Sequence, residues 1–225
     1  QNYLPIAVDL IGHGETDSPK DLEYYSCSAI VQQLDSIFSQ LNLNNVIIVG
    51  YSMGGRAALA YSVKCPERVR AVIFESTTPG LEDISAQKER VEFDLLLAEK
   101  IDKEGIESFI NFWFDTPLFK SLVSLPNFLD EKNKRLKNNP TGLMNVLSGF
   151  STGLMKSCWK RLPQIQVPTL LISGELDEKF TKINQAIQKK IANSKHTIVP
   201  MCGHNVHLEK PLLFTKLVLE FLNSL

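Results

Sequence analysis

Apolar positions along the chain fall into two patterns, and their order predicts an α/β protein. Leu4–Leu10 (LPIAVDL) is a nearly continuous apolar run, read as a buried strand, which Gly12-His13-Gly14 then breaks into a loop. Between Ser26 and Leu41 the residues Ile30, Leu34, Ile37, Phe38 and Leu41 recur at helical spacing, so this stretch is expected to form an amphipathic helix. Val46–Val49 is wholly apolar between Asn45 and Gly50, the pattern of a parallel strand covered on both faces. Gly54–Lys64 is alanine-rich and helical. Ala71–Phe74 reads as another buried strand, ended by Ser76-Thr77-Thr78-Pro79-Gly80.

From Leu81 to about Trp159 the strand signal disappears, and charged helical segments punctuated by Pro117, Pro126 and Pro140 take its place. After Pro168 a strand pattern returns at Thr169–Ser173. It is followed by a helix near Ile183–Ile191, a strand at Thr197–Val199 and a last helix from about Lys210 to Leu225. Strands alternating with helices predict a mostly parallel sheet covered on both faces. Residues 1–80 and 160–225 then form two parts of one core. Residues 81–159 form a helical insertion, expected as a cap over the C-terminal edge of the sheet.

Composition narrows the function classes. The 225 residues suffice for one sizeable core, and 44% hydrophobic with 22% charged residues is ordinary for a soluble globular chain. A net charge of −1 argues against nucleic acid or an anionic membrane as partner. No apolar run reaches the roughly 18 residues of a membrane span. Cys27, Cys65, Cys158 and Cys202 show neither CxxC nor metal-ligand spacing, so free thiols in a reducing cytoplasm are expected, with no metal and no cofactor.

The chemistry is carried by Gly50-Tyr51-Ser52-Met53-Gly54-Gly55, which fits G-x-S-x-G between a strand and a helix. That context presents Ser52 at the tip of a sharp turn. The N–H of Met53, at the helix start, points toward any oxyanion formed there. A serine nucleophile needs a base and the base an orienting acid, in the chain order Ser, acid, His for this turn. Asp177 follows the strand Thr169–Ser173, and His204 follows the strand Thr197–Val199 beside Gly203, so both are expected at the same sheet edge as Ser52. Glu175 and Glu178 remain rival acids, and His207 a rival base. His13, in a Gly-flanked turn, and His196, opening a strand, read as structural.

The chain resembles the menaquinone-pathway SHCHC synthases (2-succinyl-6-hydroxy-2,4-cyclohexadiene-1-carboxylate synthases), which have the α/β-hydrolase fold. The resembling segments are DLIGHGETDSP (Asp9–Pro19), VGYSMGGRAAL (Val49–Leu59), ESTTPGL (Glu75–Leu81), FINFWFDTPLF (Phe109–Phe119), GELDEKF (Gly174–Phe180) and GHNVHLE (Gly203–Glu209). The resemblance implies a carbon–oxygen lyase that eliminates pyruvate from the enolpyruvyl precursor SEPHCHC, the triad acting by proton abstraction, in menaquinone or phylloquinone biosynthesis. It also implies a small polycarboxylate substrate held by Arg56, Arg90 and Arg135, with Tyr51 and Trp113 as further pocket positions.

Ser148 and Met155 depart from the Arg and Gln of several relatives. The fold normally opens with further strands and a His-Gly loop that supplies a second oxyanion N–H, and these N-terminal strands are expected to be missing from the chain. The alternatives are a hydrolase of the same fold acting on an ester or a carbon–carbon bond, and a non-catalytic ligand-binding protein that kept the fold.

Overall fold

The computed structural model describes residues Tyr3 to Leu225. Two compact units make up the chain. One comprises Val31–Gly80, Asp115–Leu125 and Lys156–Leu225; the other comprises the chain up to Ile30, Leu81–Phe114 and Pro126–Met155. These boundaries differ from the expected insertion at 81–159. Asp115–Leu125 belongs with the sheet because Phe119 packs edge-on to His204 and Ser121 abuts Gly203. The segment before Ile30 belongs with the helices. There Gly12 and Gly142 approach so closely that a Cβ on either would strike the other's backbone, and the Asn145 amide donates to the Pro19 carbonyl at 2.8 Å.

The sheet unit holds four parallel strands in the order β1 (Val46–Tyr51), β2 (Val69–Glu75), β3 (Thr169–Gly174) and β4 (Ser194–Val199). β2 and β3 are central and almost wholly buried, in keeping with their unbroken apolar runs. β1 is only half-covered: Val49 is 53% exposed, against the expectation of burial on both faces. Helix α2 (Ser52–Lys64) packs on β1 and β2, and α7 (Glu178–Gln188) on β3 and β4. Side chains alternate faces along a strand, so Ile73, Leu170 and Ile172 share one face. They form a core with Val199, Cys202 and Val206, closed by Phe214, Leu217, Val218 and Phe221 of α9 (Pro211–Asn223). In helix α1 (Cys27–Gln40), Phe38 meets Tyr61 of α2 edge-on, 5.1 Å between ring centroids.

The other unit is helical: α3 (Ile84–Phe114), α5 (Phe128–Leu136) and α6 (Pro140–Gly149). Gly105 interrupts α3 with φ +83°, so this long helix is two helices joined at a glycine. The short α4 (Lys120–Val123) and α8 (Val206–Glu209) lie in the sheet unit.

The strand expected at Leu4–Leu10 is not formed. The run is irregular, and Leu4 is 84% exposed. An apolar run becomes a strand only where a neighbour takes its backbone N–H and C=O groups, and among the described residues no ladder reaches it. Among them also no helix is long and apolar enough to cross a membrane.

Candidate active site

Because all four strands run parallel, the loops leaving their C-terminal ends gather at one edge. Ser52 follows β1 at that edge and starts α2 with φ +47°, a left-handed conformation that costs a non-glycine residue about 1–3 kcal/mol. The surroundings enforce this turn. A Cβ on Gly50 would lie 2.7 Å from the Gly54 carbonyl oxygen, and one on Gly55 would lie 2.6 Å from Thr77 Cβ. The Thr77 hydroxyl donates to the Ser52 carbonyl at 2.8 Å and pins the turn from the end of β2. A Cβ on Gly54 would meet nothing within 4 Å, so that glycine is not required for space.

His204 Nε2 lies 3.0 Å from Ser52 Oγ, and His204 Nδ1 lies 2.6 Å from Asp177 Oδ2. The imidazole is 1% exposed and the carboxylate nearly as buried. An ionised carboxylate only accepts, so Nδ1–H donates to Asp177 and Nε2 is left to accept from the Ser52 hydroxyl. Asp177 Oδ1 also accepts from the Phe180 N–H at 3.3 Å, capping α7 and fixing the carboxylate. Phe119, Phe180 and Tyr51 surround the imidazole at ring-centroid distances of 6.1, 4.5 and 5.2 Å. The N–H of Met53 belongs to the first turn of α2, whose amides have no acceptor within the helix.

The rival candidates are engaged elsewhere. Glu175 is tied through Oε2 to the Met201 N–H at 2.9 Å, and Glu178 pairs with Lys182 on an exposed face. His207 donates from Nδ1 to the buried Glu75 at 2.9 Å. Burial lowers the pKa of His13, which lies near the Ile11 carbonyl, and that of His196, whose Nε2 meets Ser173 Oγ at 2.9 Å.

Arg56 stands one turn beyond Ser52 on α2 and is 8% exposed, unusually buried for an arginine. Arg90, Trp113 and Arg135 belong to the helical unit, and each has company there. Arg90 Nε reaches both oxygens of the buried Asp94 at 2.9 Å. Arg135 pairs with Glu131 at 3.4 Å and lies over the Phe114 ring at 5.2 Å. Trp113 stacks on Phe109. Met155 is buried and Ser148 half-buried in the same unit. Sequence reasoning missed Thr77, whose only signal was a hydroxyl run directly after a strand that ends at the serine's edge.

A family model described as alpha/beta hydrolase fold matches residues 3–211. The chain is 46% identical over 222 residues to a Bacillus subtilis (strain 168) protein that carries the name 2-succinyl-6-hydroxy-2,4-cyclohexadiene-1-carboxylate synthase provisionally, covering 98% of this chain and 81% of that protein. It is 30% identical to the protein so named outright from Photorhabdus laumondii, covering 97% of this chain and 76% of the other. The chain belongs to the SHCHC synthase family of the α/β-hydrolase fold. A solved structure, that of MenH from S. aureus, superposes with a TM-score of 0.92 at 37% identity, covering 96% of this chain and 82% of that one.

Proposed function

We propose that the protein is a carbon–oxygen lyase that eliminates pyruvate from SEPHCHC to give SHCHC in menaquinone or phylloquinone biosynthesis. The observation that carries the chemistry is the aligned chain from the half-buried Ser52 Oγ through His204 to Asp177. Ser52 Oγ, its proton passed to His204 Nε2, takes the C–H proton beside the succinyl ketone. The electron pair of that bond becomes an enolate, whose oxygen is held by the Met53 N–H. The enolate then collapses: a double bond forms between ring carbons 2 and 3, the double bond already present between carbons 3 and 4 shifts to carbons 4 and 5, and the carbon–oxygen bond from carbon 5 to the enolpyruvyl group breaks. That group departs as the enolate of pyruvate and takes up the proton that His204 Nε2 received from Ser52, which leaves a neutral imidazole and a serine hydroxyl carrying the substrate's proton. A fixed donor stabilises an enolate for the same electrostatic reason that it stabilises a tetrahedral intermediate.

The substrate is a polycarboxylate, and Arg56, Arg90 and Arg135 are proposed to take its carboxylates, since the guanidinium fork matches a carboxylate through two parallel bonds. Tyr51 and Trp113 are proposed to line the pocket, and the helical segment to serve as its cap. The four cysteines are all free thiols, which supports a cytoplasmic setting.

The test is pyruvate release from SEPHCHC alongside hydrolysis of a neutral ester, for the wild type and the three Arg→Ala variants. Pyruvate release lost at least tenfold more than ester hydrolysis supports the arginine assignment, a ratio that cancels losses through folding. Efficient ester hydrolysis without pyruvate release would instead identify a hydrolase.

A further inference from the structure

The loop that presents His204 is held from behind by a single carboxylate. Glu209 Oε2 accepts the Gly203 N–H at 2.7 Å, and Glu209 Oε1 accepts the Asn205 N–H at 3.2 Å. These two amides flank His204, so one carboxylate brackets its Cα. The Cys202 thiol also bonds to Glu209; burial first, then Glu209, pushes its pKa up to about 12.

The loop is confined from its other sides as well. The Leu176 N–H donates to the Cys202 carbonyl at 2.9 Å, and a Cβ on Gly174 would lie 2.1 Å from the Gly203 oxygen. A Cβ on Gly203 itself would lie 2.0 Å from Ser121 Oγ. The backbone beside His204 is therefore packed against the exit of β3 and against Ser121, and its N–H donors face Glu209. Bonds from backbone N–H to an ionised carboxylate are roughly twice as strong as neutral ones.

We infer that Glu209 is a positioning residue for the reaction. It fixes the backbone of His204 so that the imidazole stays within reach of both Ser52 and Asp177. A glutamine here keeps the shape but offers one acceptor oxygen, and its NH₂ faces a backbone donor. Alanine leaves both amides without an acceptor. The inference rests on the Ser52–His204 reading of the site.

The experiment compares wild type, Glu209→Gln and Glu209→Ala for the rate at which a fluorophosphonate labels Ser52, for kcat and KM on SEPHCHC, and for thermal melting. Displacing a catalytic group by about 1 Å costs on the order of 10²-fold, so Glu209→Ala is expected to lose about that in both kcat and labelling rate, with KM changed less than about twofold. Glu209→Gln is expected to lose less, and it decides the matter if the alanine variant does not fold. Folded variants that label and turn over at the wild-type rate, with only a lower melting temperature, would show that Glu209 serves stability alone. A wild type that does not label at Ser52 would overturn the triad reading and this inference with it, an outcome distinct from the first.

Discussion

Replacing Asp177 by Asn keeps the side chain's size and removes its charge, and the site geometry indicates how far the damage should reach. Asp177 Oδ2 takes the Nδ1–H of His204 at 2.6 Å while Oδ1 takes the Phe180 N–H at 3.3 Å. An asparagine whose oxygen stays on the Phe180 N–H turns its NH₂ toward Nδ1. The imidazole proton then moves to Nε2, which can no longer accept from Ser52. Loss of a charge-assisted bond alone is about 1.5–3 kcal/mol, or roughly 10- to 150-fold in rate. The wrong tautomer adds to this, and the same change in another triad costs about 10⁴-fold. We expect kcat for pyruvate release, followed by coupling to lactate dehydrogenase, to fall on the order of 10³- to 10⁴-fold. Asn caps a helix about as well as Asp, so the melting temperature should fall only by what the weakened bond to His204 contributes, whereas Asp177→Ala should cost about 1 kcal/mol more through the lost cap. A variant Asp177→Asn within about threefold of wild-type kcat would refute the assignment, because a rate loss that small is under 1 kcal/mol; Glu175 and Glu178 would then be the acids to replace.

Gly54 and Gly55, which follow Ser52 in the first turn of α2, should behave oppositely. Gly55→Ala forces a Cβ into Thr77 and is expected to abolish labelling of Ser52 and lower the melting temperature. Gly54→Ala meets open space and should hold or raise it by helix propensity, about 0.5–1 kcal/mol. Burial lowers the pKa of His196 and His13, so between their folded values and the ordinary 6.5 the unfolded chain binds protons that the folded one does not. Stability measured by urea unfolding is therefore expected to be full above 6.5 and to fall as pH drops below it, with a shallower fall in His196→Gln. Arg90→Ala leaves the Asp94 carboxylate buried without its guanidinium and should destabilise by about 1–3 kcal/mol. An unchanged unfolding midpoint would mean that this pair contributes nothing to the fold.

Much of this architecture was legible because the local signals agree with one another. Parallel strands buried on both faces are continuous apolar runs, and Ala71–Phe74 and Thr169–Ser173 lie within β2 and β3 as that rule requires. The turn that presents Ser52 is local chemistry, set by Gly50 and Gly55, and could be read from six residues. The order of serine, acid and histidine followed from strand ends that share an edge. Leu4–Leu10 shows where such reading stops: an apolar run states a preference for burial, but ladder partners come from elsewhere in the chain. Thr77 and Glu209 were illegible for a related reason. Thr77 acts through the Ser52 carbonyl and Glu209 through the N–H groups of Gly203 and Asn205, and the backbone atoms they hold carry no sequence signal. Asp177 is preferred to Glu175 and Glu178 by its place on the loop after the strand, and the geometry that sets it against His204 is what separates three acidic residues within four positions.

Whether Ser52 abstracts a proton or attacks a carbon is the central question, and the mass of the enzyme during turnover answers it most directly. Wild-type protein mixed with saturating SEPHCHC, quenched in acid within the first turnover and weighed intact, should carry no covalent adduct, while one pyruvate appears for each substrate consumed and Ser52→Ala releases pyruvate at least about 10³-fold more slowly. A substrate-derived mass on Ser52 that forms and decays at the rate of turnover would contradict proton abstraction and make the serine a nucleophile.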